Sequence, residues 1–207
     1  RRLSCGARIG WRGVGTGDGW GTLGVVARER AGGRPVAITA MHLTGLAGYP
    51  PGSPLVFHAA DGPGAAPVRL GLLLMGTLDG VDAAKVSIDP PLTVDPFLPG
   101  IGRPRGCRPV SAADLRAPVQ MYGARSRYRA GLIVGVATDF PADGLRGAFL
   151  VEMRCGNGDS GAVCCGLDGA ALGLYVGSLA ADAGIQVFCP MDAVLEALDC
   201  ELAVDGG

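Results

Sequence analysis

Lysine is almost missing from this 207-residue chain: Lys85 stands alone against seventeen arginines. A phosphate-cradling loop needs its lysine between glycine and serine or threonine, and Lys85 follows Ala84, so nucleotide binding of that kind is excluded. Excess charge is also lacking. Eighteen basic and nineteen acidic residues give a net charge of −1, which offers no pull on nucleic acid or on an anionic membrane. The arginines are scattered, and the densest group, Arg125, Arg127 and Arg129, alternates with small or aromatic residues like one solvated strand face. No long apolar run follows Arg1-Arg2-Leu3-Ser4-Cys5, so no signal peptide is visible. The uncharged stretch from Pro35 to Ala60 is broken by Pro50, Pro51 and Pro54, which rules out a spanning helix. The expectation is a cytoplasmic protein with no membrane or nucleic-acid partner, or a module of a larger protein.

The cysteines are seven, at positions 5, 107, 155, 164, 165, 189 and 200. Their number is odd, no CxxC occurs, and only His42 and His58 are there to help, so a structural metal site is not expected. Most of them sit in apolar segments such as "SGAVCCG" and "IQVFCP". Buried reduced thiols are the expectation, with a disulfide framework as the alternative.

What the chain does have is apolar residues and turn formers. Leu, Val, Ile and Phe number 53, and Gly and Pro together 51. A chain this apolar can offset the entropy of ordering itself, and its glycines and prolines then read as turns between short strands. Apolar runs bounded by Gly or Pro predict strands at 22–27, 35–41, 68–75 and 83–88. In the second half they predict 119–122, 130–138, 148–153, 161–165, 171–176 and 185–189. One helix is predicted, opened by Pro190, with Met191, Val194, Leu195 and Leu198 at helical spacing. A polar, proline-bearing stretch at 99–109 divides the chain almost evenly. The pattern predicts an all-β protein of two β units and a C-terminal helix.

With two histidines the candidates for a catalytic base are few. His42 ends a predicted strand in "PVAITAMHL", and His58 follows "PLVF" before the turn-like "AADG". A serine hydroxyl becomes a competent nucleophile when a base takes its proton and N–H groups stabilise the oxyanion. The segment "CGNGDSGAV" suits that demand: glycines around Ser160 allow a tight turn that aims the N–H groups of Gly158 and Ser160 at one point. Asp159 can anchor that turn. An acid that orients the imidazole is offered by Asp82 in "GVDAAKVSI", where its neighbours are apolar. By composition alone, the Ser160 segment reads as an ordinary Gly-Asn-Gly-Asp loop joining two strands, and the alternative for Asp82 is a turn or strand-edge carboxylate.

Taken in order, His42, Asp82 and Ser160 resemble the trypsin/chymotrypsin-like serine protease family. "AITAMHL" is similar to the strand that ends in the family's catalytic histidine, "VDAAKVSI" to the segment of its aspartate, and "GNGDSGAV" to its Gly-Asp-Ser-Gly motif. "GTLGVVA" and "GLYVGS" lie where family strands belong, so the resemblance spans about 21–198. It implies two six-stranded antiparallel β-barrels, 1–105 and 106–207 with the helix, and a cleft between them. It implies peptide-bond hydrolysis by a His42-Asp82-Ser160 triad, an oxyanion hole at Gly158 and Ser160, and a protein or peptide substrate. No metal or cofactor is implied. The strand Leu174–Gly177 would pair with the substrate backbone, which makes Val176, Gly177 and Ser178 substrate-binding candidates. Arg154, six residues before Ser160, would stand at the pocket for the side chain before the scissile bond and favour acidic residues there.

The start Arg1-Arg2 and the lack of an evident disulfide ladder depart from secreted members that are activated by inserting a new apolar N-terminus. The sequence is more similar to compact bacterial, intracellular members. Other readings fare less well. An α/β-hydrolase needs a histidine after its serine, and none follows Ser160. Gly19-Trp-Gly-Thr-Leu-Gly24 fits a dinucleotide fingerprint in spacing but leads into a strand. A cysteine nucleophile, Cys155 or Cys164, lacks a comparable motif. The remaining rival is a catalytically latent protease-fold module that binds peptides or protein partners.

Overall fold

Strict alternation marks the first strand of the second half. Along Pro118–Gly123, Val119, Met121 and Gly123 point inward while the residues between them are partly exposed, the period-two signature of a sheet with one buried face. A computed structural model describes residues 2–11, 19–46, 55–62 and 64–203. Pro50, Pro51, Pro54 and Arg1, used above, lie outside the described residues.

The described strands are β1 (Arg2–Ser4), β2 (Arg8–Gly10), β3 (Trp20–Thr22), β4 (Val25–Glu29), β5 (Pro35–Thr39), β6 (Val56–Ala60), β7 (Val68–Thr77), β8 (Ala83–Ser87) and β9 (Thr93–Asp95). After a stretch without strands come β10 (Pro118–Gly123), β11 (Arg127–Phe140), β12 (Leu145–Glu152), β13 (Val163–Gly166), β14 (Ala171–Leu179) and β15 (Asp182–Pro190). The helix α1 (Met191–Ala197) and a last strand, β16 (Cys200–Leu202), complete the chain.

The second unit is a closed barrel in the order β10-β11-β12-β15-β14-β13. It closes because β10 pairs with β13, Gln120 opposite Cys165. Its interior holds Val119, Met121, Ile133, Phe149, Val151, Leu172 and Phe188. Phe149 and Phe188 stack at 5.2 Å between ring centres, which contributes about 1 kcal/mol beyond the area they bury.

The first unit is an eight-stranded sheet, β16-β4-β5-β8-β7-β6-β2-β3, curled around Leu3, Ile9, Val25, Ile38, Phe57, Leu70 and Val86. Two of its features differ from the expected six-stranded barrel. Its strand order is not closed by hydrogen bonds among the described residues, and one of its strands comes from the far end of the chain. Past α1 the chain turns back and β16 pairs with β4, Cys200 opposite Glu29.

Lys85, the sole lysine, holds that return. It lies on β8 with its ammonium 3.1 Å from Glu29 and donating to the Leu198 carbonyl at 2.9 Å. A buried cation needs such partners. The predicted helix forms with Pro190 at its N-cap, burying Met191, Val194 and Leu195. No described helix is long and apolar enough to cross a membrane.

Candidate active site

β5 ends at Thr39, and the chain then makes one 3₁₀ turn, Met41–Thr44. His42 therefore stands on a turn just past the strand. The fully buried Met41 pins that turn to the core, while the His42 side chain is 38% exposed. Asp82, immediately before β8, is 6% exposed. One of its oxygens, Oδ1, accepts the N–H groups of Met41 at 2.6 Å and His42 at 3.0 Å. The other, Oδ2, meets His42 Nδ1 at 2.5 Å. A carboxylate fixed by two backbone donors has one orientation left for the imidazole. On the opposite side of the ring, His42 Nε2 is 2.9 Å from Ser160 Oγ.

Ser160 arrives from the barrel. Its loop is set by Asp159, which is completely buried. Asp159 Oδ1 accepts the N–H groups of Arg125 and Ser126 at 3.0 and 2.9 Å, and Oδ2 that of Gly156 at 2.9 Å. Three backbone donors thus serve its two oxygens, and it has no ion-pair partner among the described residues.

Gly158 has φ +107°, and a Cβ there would stand 2.4 Å from the Trp20 ring. Only glycine meets both demands. The backbone bonds at this loop run through its neighbours: Gly161 donates to Tyr175 and Ala162 to Asp159, each at 2.8 Å. The N–H groups of Gly158 and Ser160 take no backbone carbonyl among the described residues.

The first unit grips the same loop through β3, a contact that the motif reading did not include. Thr22 N–H donates to the Ser160 carbonyl at 2.7 Å, and Thr22 Oγ1 to the Gly158 carbonyl at 3.0 Å. The same hydroxyl accepts the Ala124 N–H at 2.9 Å. Thr39 Oγ1 in turn donates to the Thr22 carbonyl at 2.8 Å. Trp20 lies against Gly158 and carries the Arg8 guanidinium 4.5 Å above its ring. No local spacing announces these partners, because Thr22 and Gly158 are 136 positions apart.

Two hollows flank His42. One, of about 600 Å³, is lined by Trp20, Leu43, Asn157, Gly158 and Ser160. The other, of about 640 Å³, is lined by Leu78, Phe140, Val176, Gly177, Ser178 and Leu179. The three candidate substrate-strand residues thus lie beside the triad.

Arg154 does not. Its side chain is exposed and lines a separate hollow with Arg129, Glu152 and Asp182, and its carbonyl accepts Arg129 Nε at 3.1 Å. A guanidinium is cheaper to hydrate there than to bury unpaired. His58, on β6, sits opposite Gly10, and its buried Nδ1 has no hydrogen-bond partner among the described residues.

All seven cysteines are free thiols, and Cys5, Cys164, Cys165, Cys189 and Cys200 are buried. Burial pushes the Cys155 thiol up to about 12 and raises that of Cys164 well above its ordinary value. Both are therefore protonated and poor nucleophiles at neutral pH.

No protein-family model and no curated protein sequence matches the chain. Its structure does match solved structures. Thermobifida fusca protease A superposes with a TM-score of 0.71 over 100% of both chains at 18% identity. A Nocardiopsis protease gives 0.70 over 98% of this chain and 99% of its own at 19% identity. The Cellulomonas bogoriensis chymotrypsin gives 0.70 over 99% and 100% at 17% identity. Likeness at this level of identity is a likeness of fold.

Proposed function

From the double-barrel fold of the bacterial chymotrypsin-like serine proteases, which this chain shares, we propose that it is a serine endopeptidase acting on protein or peptide substrates. The observation that carries the reading is His42 hydrogen-bonded at once to Asp82 at 2.5 Å and to Ser160 at 2.9 Å.

Ser160 Oγ attacks the scissile carbonyl carbon as its proton passes to His42 Nε2. Asp82 holds Nδ1–H toward itself, so that Nε2 is the basic nitrogen, and stabilises the imidazolium that forms. The carbonyl oxygen becomes an oxyanion facing the N–H groups of Gly158 and Ser160. Collapse breaks the C–N bond, and His42 returns its proton to the leaving amine. Water then repeats the sequence on the acyl-enzyme and frees Ser160. Beyond Leu174, the last residue of β14 paired with β13, Val176, Gly177 and Ser178 pair with the substrate backbone as an added strand.

The test is a peptide-library cleavage profile with Ser160→Ala as the blank. Removing Ser160 or His42 lowers kcat by about 10⁴–10⁶-fold. Cleavage that persists at near-native rate in Ser160→Ala contradicts the reading. A fully folded protein that cleaves no peptide supports the latent binding module instead.

A further inference from the structure

The primary pocket is the part of such a site that selects its substrate. On the endopeptidase reading, a peptide lying along β14 beyond its pairing with β13, with its carbonyl carbon at Ser160 Oγ, directs one side chain between two backbone segments. One segment enters the nucleophile at 155–158, and the other is 176–178. Beneath them stands Tyr175. Its N–H donates to Ala162 and its carbonyl accepts from Gly161, both at 2.8 Å, so its backbone is fixed two residues from Ser160.

The Tyr175 side chain is 3% exposed and packs in the barrel core with Phe188, Ala162 and Cys155. Its hydroxyl donates to Gln186 Oε1 at 2.9 Å.

Gln186, completely buried, ties the walls together. Its Oε1 also accepts Ser178 Oγ at 2.8 Å, from the substrate-strand wall. Its Nε2 donates to the Met153 carbonyl, on the segment leading to the nucleophile, and to the Ala183 carbonyl, each at 2.8 Å. Both acceptor sites and both amide hydrogens are thus used. Neither hollow beside the triad is lined by Tyr175 or Gln186; Arg125 lines the one with Ser160, and Arg154 faces outward.

We propose that Tyr175 and Gln186 close the primary pocket from below, so that the residue before the scissile bond must be small: glycine, alanine or serine. A larger side chain has to displace the Tyr175 ring from the core. A charged one breaks a satisfied buried network. The inference rests on the endopeptidase reading and deepens it.

The experiment has two stages on the intact chain. A fluorophosphonate probe is first read for its adduct on Ser160. Amide substrates differing only at the residue before the scissile bond (Ala, Leu, Phe, Lys or Glu) are then compared by kcat/KM. Alanine is expected to exceed phenylalanine and lysine by about 100-fold. Tyr175→Ala, which vacates the ring, is expected to raise the Phe-to-Ala ratio by at least about 10-fold.

Should that variant fail to fold, the wild-type ranking alone decides. Labelling of Ser160 together with equal or faster cleavage after Phe, Lys or Glu overturns this inference and leaves the endopeptidase reading standing. Absence of both labelling and cleavage overturns that reading, and this inference with it.

Discussion

Thr22 Oγ1 donates to the carbonyl of Gly158 at 3.0 Å, so a hydroxyl of the first unit fixes a peptide group of the nucleophile loop in the second. The same oxygen accepts the Ala124 N–H. Thr22→Val keeps the side-chain shape and removes both bonds. The expected result is a loss of about 1–3 kcal/mol in stability from the groups left unpaired in the interior. It comes with a fall of about 10-fold or more in kcat as the oxyanion donors lose their alignment. Thr22→Ser restores both. Thermal melts and a split of kcat from KM check this. A purely structural role leaves kcat of the folded fraction unchanged.

Asp159 has three backbone donors around its carboxyl and no ion-pair partner among the described residues. Asp159→Ala strands all three in a buried setting, at a cost on the order of 3 kcal/mol. Activity is expected to fall further than folding, since the turn that presents Ser160 is what those bonds shape. Near-ultraviolet circular dichroism and probe labelling, measured on the same sample, separate the two losses.

Asp82→Asn keeps an oxygen for the N–H groups of Met41 and His42 but presents an amide to His42 Nδ1. The imidazole then takes the wrong tautomer, and kcat is expected to drop by about 10⁴-fold with the fold intact. Equal activity in the variant contradicts the assigned role of Asp82.

Lys85→Met leaves the Leu198 carbonyl with only the weak Cys200 thiol donor at 3.3 Å and removes one partner of Glu29, so a loss of about 1–3 kcal/mol is expected. Glu29 also supplies a pH dependence. The hydrogen bond from Arg34, and after it that from Lys85, holds its carboxyl below the ordinary glutamate range. Its contribution to stability is therefore complete above the ordinary value of about 4.3 and is lost as pH falls through the lower folded value. In Lys85→Met the folded carboxyl sits closer to the ordinary value. The decline of the melting temperature between about pH 5 and pH 3 is accordingly shallower than in wild type.

The sequence segments that carry chemistry were legible because each is local: "AITAMHL", "VDAAKVSI" and "GNGDSGAV" each span under ten residues. Ten predicted strands have counterparts in the structure, though the first is split at Leu23-Gly24 into β3 and β4. Five strands, β1, β2, β6, β9 and β16, went unforeseen. Four of them are three residues long, too short for alternation to register, and they exist because of pairing with strands distant in sequence. The β3 clamp escaped because its partners are distant in sequence. Tyr175 and Gln186 are only 11 positions apart, but a glutamine at a strand position carries no signal of what it meets. Arg154 shows the converse: a position inferred from spacing said nothing of which way its side chain faces.

The central claim is that Ser160 is a nucleophile activated by His42. Intact-mass and peptide-mapping analysis after treatment with a fluorophosphonate tests it most directly. The account predicts one adduct per chain, located on Ser160, abolished in Ser160→Ala and slowed at least about 10³-fold in His42→Ala. A wild-type protein that is folded and takes up no adduct, or that reacts at another residue, contradicts it.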